Sequence, residues 1–271
     1  MSNTTIHKRE KLNQLLGNWP AGTVMTQAWL EKLGISRQLS GFYLKNGWIQ
    51  KIGQGAFCKM GDKVDWMGGL YAVQQQLELK VHVGGRSLLE LIGASHFVPL
   101  GSPKKLDIYA DTDAQKKGLP KWFLSGFKTS VAITYFPRGI FREPLGLETL
   151  EEPNFKISVS SQERALIEIL ALVPQVVSYQ HAYLLFQGKE TLRVSVLQPL
   201  LEGCVSYKVK RLFLHFSKKC YLPWFNRLAI ERIDLGLGKR QIGEGGWYDS
   251  DLQISVPKLS VWDDADQDME M

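Results

Sequence analysis

Arg37 and Gln38 are neighbouring side chains that can each form two hydrogen bonds to the edge of one base. Arginine suits the O6 and N7 acceptors of guanine, and glutamine suits the N6 and N7 atoms of adenine. Near them in the sequence are hydroxyl, amide and cationic groups that can contact phosphates and so fix the register of a protein on a duplex. These groups belong to Ser36, Ser40, Tyr43, Lys45, Lys51 and Gln54. The set predicts a surface that binds double-stranded DNA.

The elements that would position these side chains follow from the spacing of apolar and capping residues. Apolar residues recur at helical spacing over residues 5–19, 27–33 and 37–46. Thr26 and Ser36 can cap the second and third helices, and Gly34 allows a short turn between them. Residues 48–52 and 56–58 then flank a glycine-containing turn, as the strands of a hairpin do. This order predicts a winged helix-turn-helix.

In a winged helix-turn-helix the third helix enters the major groove. The outer face of that helix would hold Arg37, Gln38, Ser40 and Lys45. The hydroxyls of Ser36, Ser40 and Tyr43 would contact phosphates, and Lys51 and Gln54 would contact the backbone or a minor groove from the wing. A small helical domain with solvated charges, or a winged helix that contacts only protein, remains an alternative.

Charge is concentrated in the same segment. The net charge of the chain is +6, and residues 1–60 hold eight Lys/Arg against two acids, Glu10 and Glu31, a difference of 8 − 2 = +6. The other 211 residues are therefore neutral in sum. Such an excess in one short segment favours a polyanionic partner.

Composition limits the class of protein. The chain is 44% apolar and 22% charged, as in soluble globular proteins. No apolar run approaches the roughly 18 residues of a membrane span, and residues 1–20 lack a secretory h-region, so we expect a cytoplasmic protein with no membrane partner. The three cysteines are far apart and form no CxxC pair, which argues against a disulfide framework or a zinc site. We expect no cofactor.

We expect an α+β fold in which the N-terminal winged helix-turn-helix is followed by a larger mixed α/β C-terminal domain. The predicted division is 1–62, 63–261 and an acidic disordered tail over 262–271. Ser160 or Ser161 can cap a helix that runs through Val173, with Glu163 placed for a capping-box contact. The other predicted C-terminal helices cover 66–77, 87–92, 179–186, 191–201 and 209–221, and the predicted strands cover 80–83, 106–109, 131–136 and 252–256.

A second basic cluster occurs near the C-terminus. Lys208, Arg211, His215 and Lys218 repeat at a spacing that predicts one side of a helix. Lys239 and Arg240 follow further along the chain. This patch could contact DNA phosphates, an acidic partner surface, or only solvent.

Two sets of residues suggest an enzyme instead, and we keep them as the alternative function. Gly101-Ser102 followed by Asp111 and Asp113 is similar to a nucleotidyltransferase signature, in which paired carboxylates hold Mg²⁺. Asp65, Glu78 and Lys80 are similar to the spaced carboxylates and lysine of metal-dependent nucleases. Both spacings fit poorly, because the aspartates fall in a polar loop and residues 66–77 have a helical period. We therefore expect no enzyme and no catalytic or metal-binding residue.

The sequence resembles the AbiEi family, the transcriptional-regulator antitoxins of type IV toxin–antitoxin (abortive infection) operons. The resemblance covers most of the chain. It depends on residues 34–39, 46–49, 53–55, 68–73, 81–86, 162–166, 209–214, 223–225 and, most specifically, 233–240. The resemblance implies negative autoregulation through inverted repeats upstream of the operon, and neutralisation of a nucleotidyltransferase-like toxin by the C-terminal domain. It also implies that Arg37, Gln38, Ser40 and Lys45 are recognition-helix residues. The resemblance implies no role for the acidic tail after Trp262.

Overall fold

The structure is a computed structural model that describes residues 12–93, 105–113, 117–244 and 246–259. Three predicted features lie wholly or partly outside these residues. They are the start of the first helix, the Gly101-Ser102 pair and the acidic tail over 262–271.

The N-terminal part is a winged helix-turn-helix, as predicted. Residues 12–18 are helical (α1), and two further helices are followed by a hairpin. The bounds are β1 Met25–Thr26, α2 Gln27–Lys32, α3 Arg37–Lys45, β2 Ile49–Gly53 and β3 Ala56–Lys59. The three strands form an antiparallel sheet in the order β1-β3-β2. The hairpin β2–β3 is the wing.

Local chemistry explains where these helices begin and end. The Thr26 hydroxyl accepts a hydrogen bond from the Trp29 amide at the start of α2, and Ser36 accepts one from the Leu39 amide at the start of α3. Each bond satisfies an amide that has no partner within its helix. Gly34 follows α2 with a φ of 76°, a left-handed conformation that favours glycine. The caps and the turn are therefore those that the sequence predicts.

The C-terminal part contains a five-stranded mixed sheet in the order β6-β5-β4-β8-β7. Its strands are β4 Val81–Val83, β5 Lys105–Ala110, β6 Ala132–Phe136, β7 Leu147–Glu151 and β8 Lys156–Ser160. Three helices lie between or before them: α4 Trp66–Tyr71, α5 Gly85–Leu91 and α6 Lys121–Gly126. The predicted helix over 66–77 is present, but from Ala72 to Gln76 it has π-helical hydrogen bonding.

Four α-helices follow along the chain. They are α7 Gln162–Ala171, α8 Tyr179–Phe186, α9 Val194–Gly203 and α10 Tyr207–Lys219. Helix α7 contacts β8 of the sheet, and α8, α9 and α10 pack against α7. A small second sheet follows, formed by β9 Arg240–Gln241, β10 Trp247–Asp249 and β11 Ile254–Val256 in the order β10-β11-β9. Helix α7 is buried along most of its length, with Leu166 and Leu170 inaccessible to solvent. The architecture is α+β.

The winged helix-turn-helix is joined to the C-terminal part by polar and packing contacts. The buried side chain of Gln76 accepts a hydrogen bond from the Thr26 amide and donates one to the Val24 carbonyl, each at 2.8 Å. The α4 residue Gly68 accepts a hydrogen bond from the Val24 amide. Most of the winged domain has its own apolar core, which includes Leu30 and Tyr43. The division at residue 62 remains a prediction.

Among the described residues, none of the helices is long and apolar enough to span a membrane.

Candidate nucleic-acid interface

A groove with a volume of about 370 Å³ runs between α3 and the wing. Both walls belong to the winged helix-turn-helix, so its shape is set by how α3 packs against the hairpin. The residues that line it are Gln27, Arg37, Ser40, Gly41, Leu44, Lys51, Gln54, Gly55 and Phe57. Four of the predicted site residues line the groove, and three of them, Arg37, Lys51 and Gln54, are exposed.

The side chains best suited to read bases are at the solvent-facing start of α3. Arg37 and Gln38 are exposed, and the Arg37 side chain is 83% accessible. The Arg37 Nε atom lies 3.1 Å from a carboxylate oxygen of Glu31. An exposed pair of this kind contributes at most about 1 kcal/mol. It can be replaced at small cost by a bidentate contact with a base.

Two lysines, a glutamine and a capping hydroxyl lie on either side of Arg37 and Gln38. Lys45 is exposed at the end of α3, and Lys51 and Gln54 are exposed on the wing. Ser36 is also exposed, and its hydroxyl oxygen accepts the capping bond from the Leu39 amide. Its hydroxyl hydrogen is then free to donate to a phosphate. All four residues are accessible, as a phosphate contact requires, and their role remains a prediction.

Two predicted contact residues face the wrong way. Tyr43 has no accessible surface, because it is on the inner face of α3 among core residues and its ring packs against Trp48 and Phe42. Burial raises the pKa of its phenol. Ser40 is also buried, and its hydroxyl donates to Gln27 Oε1 at 2.7 Å. The predicted phosphate contacts of Tyr43 and Ser40 are wrong, since neither hydroxyl reaches the surface.

The second basic cluster is mostly structural. Arg211 is 1% accessible and points into the protein. Its guanidinium donates hydrogen bonds to the backbone carbonyls of Leu235, Gly236, Gly238 and Gln253, over 2.6–3.0 Å. Arg211 therefore fixes the backbone of the loop before β9. It is not part of a basic surface, contrary to the prediction.

The other members of that cluster differ in accessibility. Lys208 is half-buried and donates to the Val173 carbonyl, and burial lowers its pKa. Lys218 is exposed and lies 2.8 Å from a carboxylate oxygen of Asp251. Lys239 and Arg240 lie at the edge of the second sheet, with the Lys239 ammonium over the ring of Tyr248. The predicted continuous stripe is absent from this part of the described chain. Lys218 and Lys239 remain as exposed cations, and Arg240 is half-buried.

A buried ionic network lies in the C-terminal part, which the sequence did not predict. His82 on β4 is completely buried between two carboxylates, with Nδ1 2.7 Å from Asp111 and Nε2 2.7 Å from Glu168. Because ionised carboxylates only accept, both ring nitrogens must donate, and His82 is an imidazolium. Arg164 donates to Glu168 at 2.7 Å and to the Asp111 carbonyl at 2.8 Å. Two cations and two anions thus balance one another.

The pKa values in this network reflect that balance. Burial lowers the pKa of His82, but the charge of Glu168 and the hydrogen bonds to both carboxylates outweigh burial, and the pKa lies above its usual value. Burial raises the pKa of Glu168, but the charges and hydrogen bonds of His82 and Arg164 outweigh burial, so that the pKa lies below its usual value. The charged side chains of the network link β4, the end of β5 and α7.

Three of the four carboxylates of the alternative, enzymatic function have partners elsewhere in the structure. Asp111 belongs to the buried network, and the Asp113 amide donates to the Phe141 carbonyl. Asp65 caps α4 by accepting from two amides, and Glu78 is paired with Lys32. Among the described residues, no group of three His, Cys, Asp or Glu side chains is arranged to hold a metal ion.

Comparisons with known proteins agree with the predicted resemblance. Residues 8–100 match the family model described as "Transcriptional regulator, AbiEi antitoxin N-terminal domain". Residues 104–257 match the model described as "Transcriptional regulator, AbiEi antitoxin, Type IV TA system". Together the two matches cover nearly the whole chain. No curated protein matches it.

A similar fold occurs among solved structures. The crystal structure of the RV2827C protein from Mycobacterium tuberculosis superposes with a TM-score of 0.54 at 12% sequence identity, over 92% of this chain and 91% of that chain. At this identity the likeness concerns the fold alone.

Proposed function

Because this chain belongs to the AbiEi family, the transcriptional-regulator antitoxins of type IV toxin–antitoxin systems, we propose that it is a sequence-specific repressor of its own operon. Its target is double-stranded DNA with inverted repeats upstream of that operon. Residues 1–62 form the DNA-binding unit. The protein works in the bacterial cytoplasm and lies on the nucleoid when it is bound to its operator.

The observation that supports this proposal is the groove between α3 and the wing. Arg37 and Gln38 are accessible at the start of α3, where side chains of a recognition helix meet base edges. Lys45 and Lys51 lie further along the same surface, at positions suited to phosphates. Of the exposed residues that line the groove or the outer face of α3, none is acidic. Glu31 lies at the border of this face, in its pair with Arg37.

We further propose that the chain neutralises a nucleotidyltransferase-like toxin encoded beside it, and that residues 63–261 carry this activity. The exposed cations Lys218 and Lys239 and the partly exposed Arg240 are candidate contacts of this part, either for an acidic protein surface or for DNA phosphates. The antitoxin activity then depends on a part of the chain that is different from the DNA-binding groove.

A separation-of-function experiment tests both proposals in the full-length chain. The double variant Arg37→Ala/Lys51→Ala removes one base contact and one phosphate contact from the groove. Expressed from an unrelated promoter, it should lose repression of a reporter that carries the upstream region. It should still protect cells that express the toxin. Matched expression of Lys156→Ala, an exposed lysine on β8 paired with Glu151, should change neither readout.

Loss of protection together with loss of repression, at wild-type protein levels, would contradict the division of labour. Full repression by the double variant would contradict the assignment of the groove. If the wild-type protein protects cells but does not repress the reporter, it is instead an adaptor that contacts only protein.

A further inference from the structure

Gly41 is at the centre of the exposed face of α3. It is four residues after Arg37, three after Gln38 and four before Lys45, so all three side chains lie on its side of the helix. It also lines the groove between α3 and the wing. The surface at this point is bare helix backbone, between side chains that can contact a base or a phosphate.

Nothing among the residues that the structure describes explains a glycine at this position. Its φ is not in the left-handed region that favours glycine. A Cβ added to Gly41 would meet no heavy atom within 4 Å. Glycine is also the least favourable residue inside a helix after proline, since it exposes the backbone and loses the most conformational freedom. The protein therefore keeps a residue that destabilises α3 and that no internal contact requires.

Other glycines in the described helices have a clear packing reason. A Cβ at Gly68 of α4 would lie 1.9 Å from the Gly22 carbonyl oxygen, and one at Gly69 would lie 2.5 Å from the Phe127 ring. Gly17 in α1 is the other helical glycine among the described residues whose Cβ would meet nothing within 4 Å. Gly17 is exposed but does not line the groove. It therefore offers a matched control.

We propose that Gly41 is the point at which α3 makes its closest approach to the base edges in the major groove, and that the absence of a side chain there is required for operator recognition. This inference rests on the proposed DNA-binding function. A glycine lets the helix axis come nearer to the bases by about one methyl group, which brings Arg37 and Gln38 within hydrogen-bonding reach. Any side chain at residue 41 holds the helix away from the groove floor.

The neighbouring side chains agree with a tight contact. Leu44 is partly exposed at 36%, one helical turn after Gly41 on the same wall of the groove. An apolar group beside a bare backbone suits the C5-methyl group of thymine, which is the apolar feature of the major groove. We therefore infer that the operator has a thymine opposite Gly41 and Leu44.

The test compares three full-length proteins: wild type, Gly41→Ala and Gly17→Ala. Both alanine variants should raise the melting temperature by about 2–4 °C, because alanine favours a helix and neither position is crowded. Affinity for a duplex from the upstream region of the operon is then measured by fluorescence anisotropy, with a scrambled duplex as reference. Gly41→Ala should bind the upstream duplex about 10-fold more weakly, equivalent to losing one good base contact. Gly17→Ala should bind as wild type does.

A larger side chain extends the test. Gly41→Leu adds a good helix former with more bulk, and should weaken specific binding further than Gly41→Ala while the protein stays folded. Replacement of the thymine by uracil in the upstream duplex removes its methyl group and should weaken binding by the wild type.

The outcomes separate this inference from the proposed function. If wild type binds the upstream duplex no better than scrambled DNA, the proposed function fails, and this inference with it. If wild type discriminates and Gly41→Ala binds with unchanged affinity, this inference alone is overturned. Equal weakening in Gly17→Ala and Gly41→Ala would also overturn it, since the effect would then come from the helices and not from the groove.

Discussion

Gly53 at the end of β2 packs directly against Trp122 of α6. A Cβ added to Gly53 would lie 2.7 Å from Trp122 Cβ and 3.2 Å from its Cα. The φ of Gly53 is not left-handed, so close packing, and not backbone conformation, requires the glycine. The C-terminal part thus holds the wing in place through α6, next to the strand that carries Lys51.

The first prediction concerns this contact. Gly53→Ala should push the wing away from α6. The atoms that the new methyl group meets are the Cα and Cβ of Trp122, which cannot move aside as the end of a flexible side chain can. We expect a loss of about 1–3 kcal/mol in the free energy of unfolding, as in other overpacked sites, and weaker binding to DNA of any sequence. Urea unfolding and anisotropy titration measure the two effects. Unchanged stability would show that the wing does not depend on α6.

A second prediction concerns base reading by Arg37. Arg37→Ala should weaken binding to the upstream duplex by about 1–3 kcal/mol and relax the preference at one base position. Glu31→Gln is the control, since it removes the carboxylate beside Arg37 and keeps the guanidinium. The control should bind at least as tightly as wild type. If Arg37→Ala discriminates between bases as the wild type does, Arg37 does not read a base.

A third prediction concerns the phosphate contact of Lys51. Lys51→Ala should weaken binding to all sequences and make the slope of log affinity against log salt shallower by about one unit, because one fewer phosphate is neutralised. The slope is measured from titrations between low and moderate salt concentration. Lys156→Ala, with an exposed lysine on β8, should leave it unchanged. An identical slope for Lys51→Ala would remove the wing from the phosphate contacts.

The fourth prediction separates two basic residues of α10. Arg211→Met should lower the free energy of unfolding by at least about 1–3 kcal/mol, because four carbonyls lose a donor in the protein interior. Lys218→Ala removes only an exposed ion pair and should cost less than about 1 kcal/mol. Chemical denaturation compares them directly. Similar effects of the two changes would mean that Arg211 does not organise the loop at 235–238.

A fifth prediction follows from the buried network at His82. The raised pKa of His82 means that its contribution to stability is complete below the ordinary histidine value of 6.5 and is lost as the pH rises through the folded value. The lowered pKa of Glu168 means that its contribution is complete above 4.5 and is lost as the pH falls through the folded value. The network therefore stabilises the fold most between about pH 4.5 and 6.5.

His82→Gln tests this window. The change removes the imidazolium between two buried carboxylates, of which only Glu168 keeps a cationic partner, Arg164, and should cost about 3–5 kcal/mol at pH 5.5. The difference in free energy of unfolding between wild type and variant should shrink as the pH rises above 6.5. A difference that is independent of pH would contradict an imidazolium at this position.

The winged helix-turn-helix could be predicted from the sequence because its signals are local. Thr26 and Ser36 as caps, Gly34 as a stop and a glycine-bounded hairpin each act within a few residues. The caps in the structure are the predicted ones, and the bounds of α2 and α3 differ from the prediction by one residue at the C-terminal end. Strands β7 and β8, which pair with each other as a hairpin, and helix α6 were missed, because each has only five or six residues and gives a weak periodic signal.

The errors in the site also have a physical cause. Serine and tyrosine hydroxyls often contact phosphates, but Ser40 and Tyr43 lie on the inner face of α3 and are buried, so that their hydroxyls cannot do so. Arg211 has the helical spacing of a basic stripe, yet its guanidinium satisfies backbone carbonyls more than 20 residues away in sequence. Likewise, Glu163 lacks the predicted capping-box contact, since Ser161 is the cap and Glu163 pairs with Arg193. Burial raises the pKa of the Glu163 carboxyl, but the hydrogen bonds and charge of Arg193 outweigh burial and lower it to about 2.

A footprint of the full-length protein on the upstream region of its own operon tests the central claim most directly. The account predicts protection of inverted repeats, at protein concentrations well below those that coat unrelated DNA. The same protection should shrink or vanish with Arg37→Ala. Uniform protection with no preferred site, or a footprint unaffected by changes in α3 and the wing, would contradict it.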